Sequence, residues 1–461
     1  MMKLWLPTLI TVICLACTVE ARVRLHVDAS LTTGGNNGTT WNDAYQGPDG
    51  LQAALATATS GDEVWIAAGT YLPSNTGDRE ASFSPADGVS LYGGFAGGES
   101  ELSERDIANN VTILSGDLAD DDLPNFGNRD DNTYHVLFME TGSILIDGCT
   151  IRGGRAQDDA DFPRAGGGAH VSLGAVVDFV GCHFTENEGR DAGGLEIAGE
   201  AHVLYCVFSD NHAVNEFGTG GAARSLVGFD THKATFTNSL FYGNTAGIGG
   251  GALAADHSGF QLNNCTVVGN RVIDGVFGGG VMQQGTFGTM EIANSIIWGN
   301  STSTGDSDEL NQMWNPNLPS FLVLNNSSIQ NYSGTREFAG AGNSGTNPSF
   351  VNLLGNDGQA GTGDEDYRLS GTSTLIDAGN NTLVPAGLQT DLNGEPRFVD
   401  IASVTDTGIG TAPIVDLGAF EAQSAGVNVP AVGSWGLVLC LITILIVASC
   451  LMMPHRCAMK D

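Results

Sequence analysis

Basic side chains are scarce: 18 Lys and Arg stand against 52 Asp and Glu, a formal net charge of -34 over 461 residues. That field repels phosphate backbones and anionic membrane surfaces, so nucleic acid is excluded as a partner. A bare polyuronate is disfavoured too, unless cations bridge the two. Proline is sparse at 14 residues while glycine reaches 65. Collagen's strict triplet is lacking, which leaves the glycine to serve turns. At 41% hydrophobic the chain can bury a core, which excludes wholesale disorder.

The two ends read as targeting segments. Residues 1–21 combine Lys3, an apolar stretch Leu4–Ala16 and the small-residue site Val19-Glu20-Ala21, the pattern of a signal peptide. Residues 437–453 carry no charge and predict a transmembrane anchor helix, preceded by a linker and sorting motif at 426–436. Arg456 and Lys460 in the tail 454–461 favour leaving that end in the cytoplasm, with the rest of the chain exported to the cell surface or outer envelope. The segment VPAVGSWG, the apolar helix and the basic end resemble IPTL-type C-terminal sorting signals, with Val429-Pro430-Ala431-Val432 in the place of Ile-Pro-Thr-Leu. That resemblance implies anchoring, with release after processing as its variant.

Between the ends, one word recurs seven times. Cys149, Cys182, Cys206, Ser239, Cys265, Ser295 and Ser327 form a column, with Ile151, Phe184, Phe208, Phe241, Val267, Ile297 and Ile329 two residues on. Five residues on stand Asn187, Asn211, Asn244, Asn270 and Asn300, with Gly154 in the first copy. Apolar residues at −5 and −3 give period two on each side, which is the strand signature. The phase breaks between −3 and 0, so the chain turns a corner there. Copies follow at 24 to 33 residues, about one solenoid turn. Glycine runs such as GGGA (166–169 and 249–252) separate them, so each turn reads as two or three short strands.

Stacked turns predict an all-β, right-handed single-stranded parallel β-helix over 22–425, with the repeats clearest at 145–330 and a C-terminal cap at about 340–425. Leu51, Ala54, Leu55 and Ala58 stand at helical spacing and predict an N-terminal capping helix over the first turn. The cysteine column becomes a stack of small buried side chains and the asparagine column an amide ladder. A disulfide between Cys182 and Cys206 is the alternative, because exported proteins usually pair their cysteines. Serine at three positions of the same column argues for packing instead.

The GGGA and FxxN words (Phe184–Asn187, Phe208–Asn211, Phe241–Asn244) resemble the repeats of chlamydial polymorphic membrane proteins, which are surface β-helix adhesins. The opening VDASLTTGGNNGTTWNDAYQGPDGLQAAL resembles the pectate-lyase-like β-helix superfamily. DYRLSGTSTLIDAGNN, DLNGEPR and VDLGAFE resemble the choice-of-anchor β-helix proteins. Together these imply the fold across most of the chain and leave function open, since this fold hosts lyases, hydrolases and adhesins alike.

No catalytic set stands out. A Gly-His-Gly word with paired aspartates, as in polygalacturonases, is missing. Arg152, Arg155, Arg164, Arg190, Arg224, Lys233 and Arg271 do not recur at matching positions, and the histidines are scattered. The candidate metal ligands are Asp117, Asp120, Asp121 and Asp122, in a loop that also holds Asp130 and Asp131. Calcium is the one cofactor this loop would take, with a solvated acidic insertion as the plain alternative. DLNG (391–394) and GTGDED (361–366) are candidates of the same kind. Met313 and Trp314 offer either a sugar-stacking spot or a loop packed onto the coil. The sequence thus predicts a non-catalytic surface protein for adhesion or extracellular glycan interaction. The alternative is a calcium-assisted lyase or glycoside hydrolase on the same scaffold.

Overall fold

The computed structural model describes residues 22–157, 165–214, 216–226, 234–285, 288–306, 308–315, 322–334 and 339–423. The expected signal peptide (1–21), linker and sorting motif (426–436), anchor (437–453) and tail (454–461) lie outside the described residues. Among the described residues no helix is long and apolar enough to cross a membrane.

Alternating burial makes the strands and the corners set the coil. In one coil the strands Ala169–Val171, Ala175–Val180, His183–Thr185 and Glu188–Gly189 follow in turn. The next coil lays Leu195–Ile197, Glu200–Leu204, Val207–Ser209 and His212–Ala213 beside them, parallel and in register. Repetition builds parallel ladders of eleven, nine, seven and five strands: a parallel β-solenoid. Five coils hold four strands rather than two or three. The fourth is two residues long and hides between the asparagine and the glycine run, too short for any period to register.

Two recurring corners of the coil are left-handed turns. The residue before each Cys or Ser of the column (Gly148, Gly181, Tyr205, Asn238, Asn264, Asn294, Asn326) has φ between +46° and +74°. Six of the seven are Gly or Asn, the residues that adopt this conformation at least cost. A second left-handed corner precedes the Asn column, at Gly153, Glu186, Asp210, Gly243, Gly269 and Gly299.

The interior is filled by columns. Phe184, Phe208 and Phe241 stack with ring centroids 4.6 and 5.0 Å apart. Phe179 meets Phe184 edge-on and Phe236 meets Phe241 likewise. All five are buried, each contributing about 1.5–3 kcal/mol. At the N-terminal end the helix Gly50–Leu55 follows the edge strand Tyr45–Gln46 and buries Leu51 and Ala54 in the same core.

Cys149, Cys182, Cys206 and Cys265 are buried and free. Their column does more than fill space. The Cys182 N–H donates to Cys206 Sγ (3.3 Å), Cys206 N–H to Ser239 Oγ (3.3 Å) and Cys265 N–H to Ser295 Oγ (3.1 Å). Each side chain in turn donates to the carbonyl two residues back, as Ser239 does to Thr237 (2.9 Å) and Cys206 to Leu204 (3.4 Å). The column therefore gives a buried corner amide its acceptor, a reason for Cys and Ser that volume alone does not supply. Burial pushes the Cys149 and Cys206 thiols well above the usual range and Cys265 up to about 12. Accordingly Cys206→Ser will hold stability within about 1 kcal/mol, whereas Cys206→Ala will lose about 1–2 kcal/mol by orphaning the Cys182 amide. Urea unfolding checks both, and alkylation mapped by mass will spare all four thiols until the protein unfolds.

The segment expected as a cap at about 340–425 divides in two. Residues 339–344 lie against the last strands at the end of the stack: Leu324 N–H donates to Ala339 O (2.8 Å) and Ile329 N–H to Ser344 O (2.9 Å). From Phe350 onward the chain folds back along the flank, over the outer surface of the nine-strand sheet. Asn294 fixes it through Asn380 (3.0 and 2.8 Å) and Asn238 through the Thr390 carbonyl (2.6 Å). Ile296, Leu240 and Val268, which point outward from the coil, are buried by it among Leu375, Leu417 and Tyr367. This flank segment positions the site below.

Candidate functional site

Between the nine-strand sheet and the flank segment runs a groove of 1370 Å³. Arg105, Asp147, His183, Tyr205 and Tyr242 line its solenoid side. Asp364, Glu365, Asp366, Arg368 and Asp391 line the other. Arg105 grips Asp147 with two bonds of 3.0 Å, and Arg368 pairs with Asp366 in its own strand. Both guanidiniums are therefore engaged, and the remaining carboxylates leave the groove acidic. No lysine is available among the described residues: Lys3, Lys233 and Lys460 all fall outside them.

Tyr205 breaks the corner rule. It sits at φ +55° where the other coils place Gly or Asn, a conformation that costs a bulky residue about 1–2 kcal/mol. Its hydroxyl accepts from Thr390 Oγ1 across the groove wall (3.0 Å). Glu186 and Asp210 likewise occupy the second corner, at φ +54° and +53°, where three later coils use Gly. Burial, then the charges of Glu186 and Glu365, push the Asp210 carboxyl up to about 6. Asp210 itself and Glu365 add to burial in raising the phenol of Tyr242. Burial also lowers His183 to about 4, so its ring is neutral beside Ser209 Oγ (2.8 Å).

The acidic loop at 115–132 is wired to itself. Asp117 accepts the amides of Asp121 (3.2 Å) and Asp122 (3.1 Å), and Asp131 that of Ala119 (2.8 Å). Asp122 meets Arg129 (3.4 Å) and Asn132 (3.0 Å), while burial raises its carboxyl to about 6. Asp117, Asp121 and Asp131 bring one oxygen each within 4.8 Å of one another, and Asp120 and Asp122 stand outside that group. Loop turns also account for the two shorter candidates. Asp391 accepts the amides of Asn393, Glu395 and Glu421 (2.8, 3.0 and 2.9 Å), and Glu365 those of Thr362 and Gly363 (2.7 and 2.8 Å). Met313–Trp314 forms a strand on the seven-strand sheet, with Trp314 against Phe277 at 4.4 Å. It packs onto the coil.

The groove escaped the sequence because its walls come from residues 105–242 and 351–420. One signal was there: the copy YCVFSDN carries Tyr where its sisters carry Gly or Asn. A second acidic group, Asp377, Asp400 and Asp406, was likewise not foreseen.

No family model matches the chain, and no curated protein matches it. Among solved structures it is similar to the crystal structure of pectate lyase Pel9A, at 14% identity and a TM-score of 0.44, over 87% of this chain and 97% of that one.

Proposed function

We propose that this protein is an exported, envelope-anchored β-solenoid that binds a neutral extracellular glycan in the flank groove without cleaving it. The observation that carries the reading is Tyr205. A tyrosine kept at a strained corner, where Asn serves four other coils, is retained for what its ring faces. Sugar rings stack on such aromatic faces and their hydroxyls bond to carboxylates, and both are on offer here. Surplus carboxylate disfavours an acidic polymer. The right-handed, pectate-lyase-like form of the coil, the helix 50–55 as its cap, the adhesin-like repeats and the sorting tail belong to the same proposal.

The test is retention of the purified protein on neutral and acidic polysaccharides, with calcium and with chelator, while unsaturated sugars and new reducing ends are followed. Retention on a neutral glycan without product is expected, weakened at least tenfold by Tyr205→Asn. That substitution will leave folding as strong or up to about 1 kcal/mol stronger, because the strain is relieved. Retention only on acidic polymers, or unchanged retention in the variant, would sink the reading. A glycoside hydrolase is the second reading, and Asp210 favours it: a carboxyl lifted to about 6 beside Glu186 and Glu365 suits a general acid. Turnover abolished by Asp210→Asn would replace the first reading with this one.

A further inference from the structure

The flank segment holds one buried carboxylate that the described residues leave poorly satisfied. Asp377 is fully buried (0% exposed), and neither of its carboxylate oxygens meets a donor of full hydrogen-bond geometry among the described residues, the Ile401 N–H only approaching it. Its backbone is pinned on both sides: the N–H donates to Asp416 Oδ1 (2.8 Å), and the carbonyl accepts from Thr407 and Gly408 (3.0 Å each). One oxygen of Asp377 lies within 4.8 Å of one oxygen each of Asp400 and Asp406. The buried guanidinium of Arg397 is directed elsewhere, donating to the Asp416 and Gly418 carbonyls (3.1 and 2.6 Å).

Three converging carboxylates, one of them buried and unpaired, are stabilised by a positive charge placed among them. We propose that Asp377, Asp400 and Asp406 bind a divalent cation of the calcium type, which staples the loop 400–408 to the flank of the solenoid. Hard oxygen donors select such an ion, and two ligands of one calcium lie at most about 5 Å apart, twice the bond length. Asp400 and Asp406 are exposed, which leaves an entry path and room for water ligands. Burial and the like charges of Asp406 and Asp400, against a weak contribution from the Ile401 N–H, lift the Asp377 carboxyl to about 6. The loop at 117–131 differs in the decisive respect, since Asp117 already receives two amides.

The proposal is tested on the full chain, stripped with chelator and titrated with Ca²⁺ in a calorimeter. Asp377→Asn risks misfolding, so the exposed pair is changed together, D400N/D406N, beside the control pair D121N/D131N. Wild type and control are expected to bind the same ion. In D400N/D406N the bound count falls by one, or the affinity at least tenfold, while the calcium-free unfolding midpoint does not drop. A wild type that binds no calcium, or an unchanged isotherm in D400N/D406N, overturns the assignment. So does loss confined to D121N/D131N. None of these outcomes depends on whether the groove holds a glycan.

Discussion

Asn244→Ala is expected to be among the most destabilising single changes in the coil, about 3–6 kcal/mol. The side chain is fully buried at the centre of the amide ladder. Its Nδ2 donates to the Phe208 carbonyl (2.8 Å), the Tyr242 carbonyl (2.9 Å) and Asn270 Oδ1 (2.9 Å). Its Oδ1 accepts from the Asn211 amide (3.1 Å) and from Asn211 Nδ2 (2.9 Å). Alanine leaves the Asn211 amide without a partner and strips the Phe208 and Tyr242 carbonyls of a donor, in a space with no water access. Each orphan costs about 1–3 kcal/mol, whereas a bond between satisfied groups is worth about 1 kcal/mol net. The loss will be local in origin yet felt by neighbouring coils, because a solenoid is stabilised through its nearest-neighbour interfaces. Urea unfolding with hydrogen exchange resolved by segment checks this: protection should fall first in coils 206–272. An effect below about 1 kcal/mol would mean that the ladder is ornamental.

The ladder also shows how far the sequence could be read. Its five asparagines align by eye, and they do bond in series, from Asn187 to Asn211 (3.0 Å) and on to Asn270 and Asn300 (2.9 Å). The series ends on Gln312 Oε1 (3.1 Å), which the aligned words could not reveal because an inserted helical turn, Glu309–Gln312, delivers it. Period-two spacing fixed what points inward and where the corners fall. The covered outer surface left a trace too, in the mostly apolar runs LFY (240–242), TVV (266–268) and IIW (296–298). Strands buried on one face alternate, and strands buried on both do not. Those runs mark the coils under the flank segment, with Leu240 and Tyr242 also reaching the groove, while HFT (183–185), with both outward positions polar, presents His183 to it. Illegible in principle was the meeting of Asp377 with Asp400 and Asp406, since the path of an irregular loop carries no period. The crowded aspartates at 117–131 drew attention by density, but the loop satisfies much of that charge with its own amides and Arg129.

A pH-dependent loss of stability is expected from Glu196, and it should vanish in Glu196→Gln. Glu196 lies on the outer surface of the seven-strand sheet, in register between His170 and Arg224, yet it is only 1% exposed and its Oε2 has no partner. Arg224 is shared: it already pairs with Asp191 (3.2 Å) and Asp256 (2.8 Å). Burial, opposed by Arg224 and reinforced by those two carboxylates, lifts Glu196 from 4.5 to about 8. The folded protein therefore holds a proton that the unfolded chain gives up. This contribution is fully present below about 4.5, declines as pH rises, and is lost above about 8. One proton corresponds to about 1.4 kcal/mol per pH unit, so the window spans a few kcal/mol. His170, lowered to about 4 by burial, works in the opposite sense, adding stability as pH rises toward 6.5. It is common to both proteins and cancels in their difference. Unfolding midpoints at pH 5, 6.5 and 8 should therefore diverge, with Glu196→Gln near wild type at the lowest pH and more stable by a few kcal/mol at the highest. Parallel curves would show that Glu196 is ionised in the folded state and that Arg224 serves three carboxylates at once.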